Sequence, residues 1–193
     1  MRRVLVPVLV VVAVLLGGCA EGRVGGGKID FTRVDSSWSR SDFAYAAAGR
    51  DLTTEILGNP FGGVSQNDFE QAVTAAMQGA HFGPATNFTT TPGESARPLF
   101  RVRMLWNGPT STSGARLCED TPVQGGGPEA GGRVRLIAAF CRGGRASTYL
   151  MGSVDGVRGP DDPRFTEFVR EATMALFPPR DGNFESDCMW STC

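Results

Sequence analysis

The stretch GRVRLIAAFCRGGRASTYLMGSV, Gly132–Val154, decides the fold. Two runs rich in β-branched, aromatic and aliphatic residues flank Gly143-Gly144, and a two-residue glycine turn between such runs is the strongest short-range signal for a β-hairpin. The second arm is weakened by Ala146 and Ser147. Upstream, FRVRMLW (Phe100–Trp106) alternates Val102, Met104 and Trp106 with Arg101 and Arg103, the period-two pattern of a strand with one apolar and one polar face. The sequence thus predicts at least three strands of one antiparallel sheet.

Helices are expected on either side of these strands. In SQNDFEQAVTAAMQG, Ser65 followed by Asp68 is a capping arrangement, and Phe69, Val73, Ala76 and Met77 fall on one helical face before Gly79. Asp162 caps a second helix with Pro163 in its first turn. Its apolar face is Phe165, Phe168, Val169, Ala172 and Leu176, and Pro178-Pro179 end it. SDFAYAAAGRDLTTEILG does not settle between helix and strand, because Phe43, Ala47 and Leu52 fit neither period cleanly. The expected class is α+β, an antiparallel sheet with helices packed on one face. Between Trp106 and the hairpin, NGPTSTSG and VQGGGPEAGG predict one long disordered loop near residues 109–132.

The N-terminus reads differently from the rest. After Met1-Arg2-Arg3, the uncharged run Val4–Leu16 is too short for a bilayer-spanning helix of about 20 residues, and it is followed by Gly17, Gly18 and Cys19. A basic start, a short apolar run and small residues are the layout of a secretory signal peptide. Leu16-Gly17-Gly18-Cys19 resembles the lipobox of bacterial lipoproteins. That resemblance implies cleavage after residue 18, with Leu16, Gly17 and Gly18 read by a lipoprotein signal peptidase and Cys19 acylated. Several acyl chains hold a protein firmly, since each buried methylene contributes about 0.8 kcal/mol. Ala20, where enteric inner-membrane lipoproteins carry aspartate, implies an outer-membrane location facing the periplasm. Residues 19–30 then form a flexible tether and residues 31–193 one domain. The strings GNPFGG, PATNFTTTPGESARPLFRV, GPDDPRFTEFV and ALFPP resemble segments of small proteobacterial envelope lipoproteins of unassigned role, a likeness that carries no catalytic residue with it.

With Cys19 taken by lipid, the chain's five cysteines leave Cys118, Cys141, Cys188 and Cys193, an even set for an oxidising compartment. Cys118 with Cys141 and Cys188 with Cys193 is the favoured pairing, and the two crossed arrangements stay open. No zinc site is expected, because there is no C-x-x-C pair and only one histidine.

Other motifs are incomplete. Gly22, Gly27 and Lys28 match a phosphate-binding loop, but Ile29 stands where Ser or Thr must follow. A formal net charge of −1 and the lack of a basic block exclude a nucleic-acid footprint. His81 is the only histidine available to a hydrolytic site, and SVDGVRGPDD groups the carboxylates Asp155, Asp161 and Asp162. They support the alternative of a periplasmic hydrolase, but no nucleophile-and-base set can be named around them. The sequence therefore favours a binding or scaffolding module in the envelope, held to a membrane through Cys19, with an envelope protein as partner and no cofactor. Gly58-Asn59-Pro60-Phe61 and NFTTTP are the loops expected to offer contact surface.

Overall fold

A computed structural model describes residues 27–181. Cys19 and its neighbours, and the Cys188–Cys193 pair, lie outside the described residues.

The domain is α+β, built on a six-stranded sheet in the order β1-β6-β5-β4-β2-β3. The strands are β1 (Lys28–Val34), β2 (Asp51–Leu57), β3 (Asn87–Thr89), β4 (Phe100–Trp106), β5 (Val134–Arg142) and β6 (Arg145–Val154). The expected hairpin is β5–β6, turned at Gly143, whose φ of 55° places it where a Cβ is disfavoured. Lys28–Asp30, assigned above to the tether, belong to β1, so the near phosphate loop ends in a strand and not in a helix.

The sheet is mixed, which corrects the expectation of a purely antiparallel one. The pairs β1–β6, β6–β5 and β5–β4 are antiparallel, but β2 is parallel to both β3 and β4. The cause is two returns of the chain: helix α2 (Gln66–Met77) carries it from the end of β2 back to the start of β3, and residues 90–99 carry it back again to the start of β4. The unsettled segment resolves into α1 (Arg40–Ala47) and then β2, two short elements whose periods blur into one another when read together.

Alternate residues of the central strands define two buried faces. On the first, Leu52, Ile56, Val102, Met104, Trp106, Leu136, Ala138, Phe140 and Leu150 meet α1, α2 and α4 (Pro163–Leu176). This core is aromatic. Phe43 stacks on Phe177 at 4.4 Å between ring centroids, and Trp106 receives Phe69 and Phe165, each at 5.4 Å. Such pairs add roughly 0.5–1.5 kcal/mol each beyond the area they bury. The apolar faces expected for α2 and α4 are the buried ones: Phe69, Val73, Ala76 and Met77 on α2, and Phe165, Phe168, Val169, Ala172 and Leu176 on α4.

The helices do not all share that face. A fourth, α3 (Gly114–Cys118), covers part of the second face, where Leu117 and Cys118 pack with Leu105, Ile137, Ala139 and Cys141. It lies within the stretch expected as one disordered loop. That stretch is held down because the inner strands are apolar on both sides and need covering on both. Gly125 lies so close to β2 that an added Cβ would collide with the Leu57 carbonyl, which explains the glycine run better than disorder does.

Caps follow the sequence reading. The Ser65 hydroxyl accepts from Asp68 N at 3.1 Å, and the Asp162 carboxylate accepts from Arg164 N at 3.0 Å and from the Arg164 guanidinium at 2.7 Å. The Arg164 side chain is the larger cause, and together these hold the Asp162 pKa down to about 2. A carboxylate depressed in the folded state stabilises above its unfolded pKa and loses that contribution as pH falls through its folded value. Asp162→Ala is therefore expected to lower stability by about 1 kcal/mol at pH 7, as loss of an N-cap does. Chemical denaturation at several pH values should show the difference from wild type shrinking between roughly pH 4 and pH 2.

Candidate binding cleft

The second face of the sheet is covered only in part. α3 sits over β4, β5 and β6, and between it and the β1 edge lies a cleft of about 530 Å³. Its floor is Tyr149 and Ala146 of β6, and one wall is Phe31 and Arg33 of β1 with Asp35 just beyond. The other wall is the hydroxyl-rich run Thr110–Ser113 leading into α3, and Arg145 closes the end at the hairpin turn. A smaller hollow of about 190 Å³ shares Phe31 and Thr110 and continues along Leu105, Ile137 and Met151.

Geometry fixes the floor. The Tyr149 hydroxyl donates to the Thr112 carbonyl at 2.8 Å, which ties the hydroxyl-rich wall to the sheet, and burial raises its pKa. Phe31 meets Tyr149 edge to face at 5.9 Å while remaining 48% exposed. Asp35 is held below the usual carboxylate range, chiefly by the Ser37 hydroxyl, then by the Ser37 N–H at 2.9 Å, with smaller help from Arg145 and Arg33. Among the described residues, neither Arg33 nor Arg145 has a carboxylate within ion-pair distance. The cleft therefore combines two cations in no close ion pair among the described residues, one carboxylate, Asp35, an aromatic surface and several hydroxyls. It can hold an anionic group against an apolar one.

The roof is pinned by residues that the sequence presented as the solvent face of a strand. Arg103, only 7% exposed, donates to the Leu117 and Glu119 carbonyls at 2.6 Å each, capturing the C-terminal end of α3. Its Nε lies 2.7 Å from a Glu55 carboxylate oxygen, and Arg101 reaches the Cys118 carbonyl and Asp120, both at 2.8 Å. Cys118 is disulfide-bonded to Cys141, the favoured pairing.

The remaining candidates stand apart from the cleft. His81 Nε2 is 2.9 Å from the Pro84 carbonyl, and the ring is enclosed edge-on by Phe43, Phe88 and Phe177. Asp162 caps α4, and Asp155 lies 3.5 Å from Arg133. Asn59 accepts from Phe61 N and donates to the Val64 carbonyl, and Phe61 is buried in the core. In NFTTTP, Asn87 donates to Asp51 at 2.7 Å, so both loops use their polar groups locally. No group of His, Cys, Asp and Glu that could hold a metal ion occurs among the described residues.

Two substitutions test how the roof is held. Arg103→Met should lower stability by about 2 kcal/mol, because two buried carbonyls lose a charged donor. Limited proteolysis should then cut within residues 109–129 faster than in wild type. Replacing both Cys118 and Cys141 by serine opens a bridge spanning 23 residues and should cost about 3 kcal/mol in denaturant unfolding. No family model, no curated protein and no solved structure matches this chain.

Proposed function

We propose that the chain is an envelope lipoprotein, acylated on Cys19 and facing the periplasm from the outer membrane, whose domain binds a ligand or protein partner through the cleft beside β1. The observation that carries this reading is the cleft itself, with Arg33 and Arg145 in no close ion pair among the described residues, Phe31 exposed and Tyr149 fixed as the floor. A recess with an apolar surface and a few placed polar groups is what a binding site requires. The Cys118–Cys141 bridge fits an oxidising compartment. Leu16-Gly17-Gly18-Cys19 supplies the attachment. The hydrolase alternative has weaker support, since His81 is partnered by a carbonyl and ringed by phenylalanine.

Intact-mass measurement and membrane fractionation of wild type and Cys19→Ser test the attachment. Wild type should carry added acyl mass and sediment with membranes, and the variant should lose both; a variant unchanged in both would refute acylation at Cys19. A photo-crosslinking residue placed at Ala115, on the cleft wall, should capture an envelope component in native membranes. The same residue at Glu167, exposed on α4, should not, and equal capture from both positions would refute binding at the cleft.

A further inference from the structure

The cleft is not a closed bowl, because one wall is the edge of the sheet. β1 is paired only with β6 among the described residues, and almost every residue along it is exposed. Asp35 N donates to the Ser147 carbonyl at 2.9 Å, in register with Val34 opposite Thr148. Antiparallel pairing alternates, so Phe31 and Arg33 direct their backbone groups toward β6, and Thr32 and Val34 direct theirs away from the sheet. The same alternation sends the Phe31, Arg33 and Asp35 side chains into the cleft. Backbone donors and acceptors without a partner among the described residues and the cleft's charged wall are thus two aspects of one segment, residues 31–35.

Edge strands are normally blunted by bulges, charges or short length. Here the opposite edge, β3, is three residues long, and the first half of β1 carries a register shift between Ile29 and Phe31 beside the Lys28–Asp30 ion pair. The register shift does not extend to Phe31–Val34, which runs regularly, carries Arg33 as its one charge and exposes Phe31 and Val34.

We propose that Phe31–Val34 receives an extended acidic segment of a partner protein as an added strand, its cleft-facing carboxylates meeting Arg33 and Arg145. This rests on the cleft being the binding surface. Main-chain hydrogen bonds to Thr32 and Val34 supply affinity, and alternate side chains supply selectivity, as in other strand-addition complexes. Charge selects the occupant. A second copy of this chain added antiparallel through β1 would bring a second Arg33 to the same face, whereas an acidic segment answers the net positive charge that Arg33 and Arg145 leave beside the single carboxylate of Asp35.

The test uses the full chain in detergent and a fluorescent eight-residue peptide of alternating valine and glutamate, read by anisotropy. The peptide should bind, and its valine–lysine counterpart should bind at least tenfold more weakly. Two versions N-methylated on alternate residues should differ: one register loses binding at least tenfold, and the other retains it. Thr32→Pro removes an outward N–H from an edge strand, where proline is tolerated, and should weaken the peptide at least tenfold with the melting temperature unchanged. Arg33→Glu with Arg145→Glu should do the same. Should Thr32→Pro unfold the chain, the paired N-methyl peptides still decide the matter on wild type. Equal binding of acidic and basic peptides, or equal loss from both N-methyl registers, overturns strand addition. Self-association in sedimentation velocity that Thr32→Pro abolishes replaces the peptide with a second copy, and equally overturns it. If peptide binding fails while crosslinks from Ala115 persist, the cleft reading survives and strand addition alone falls. Loss of both removes the cleft as well.

Discussion

A guanidinium buried under a five-residue helix holds the second face of this domain together. Arg103 rises from a central strand, pairs with Glu55 on the neighbouring parallel strand, and grips two carbonyls at the end of α3. A helix that short has no stability of its own, since nucleation alone costs more than one turn returns. Its position is set instead from the sheet, by Arg103, by Arg101 on Cys118 and Asp120, and by the bridge to Cys141. Where the cleft opens and which residues form its walls follow from that attachment.

The two faces of the sheet are stabilised by different physics. The first is an aromatic core under three helices, where Trp38, Phe43, Phe140 and Phe177 pack at ring-contact distances and cohesion is spread over many contacts. The second adds to a smaller apolar cluster around Leu117 a set of point attachments: ion pairs, charge-assisted hydrogen bonds and one covalent link. Dispersed packing spreads cohesion over many side chains, while point attachment concentrates it on a few residues. The cleft lies on the side held at points.

Much of the first face could be read from the sequence. The β5–β6 hairpin, β4, and the caps and apolar faces of α2 and α4 are local signals, and each sits where local rules put it. Topology was less legible. Parallel pairing of β2 with β4 depends on recognising β2 before the crossover helix, and its alternation was masked by the adjoining α1. The candidate site was hardest. Arg101 and Arg103 look like a solvent face unless something downstream is known to cover them, and the covering α3 hides in a stretch whose glycines suggest disorder. Phe31, Arg33, Arg145 and Tyr149 are far apart in sequence and meet only through β1–β6 pairing. The Cys118–Cys141 link was the one legible hint that this stretch folds back on the hairpin.

The placement of β1 also bears on mechanics. Chain preceding Gly27 joins the domain through this strand, whose support is a ladder to β6 and a few contacts with α4. Tension along the strand axis would load its hydrogen bonds together, in shear, whereas a sideways pull would open them singly from the Lys28–Ser153 end. The direction of strain, and not only its size, thus governs how firmly the domain hangs from the residues that precede it. The strand that borders the cleft is also the one through which such a load must pass.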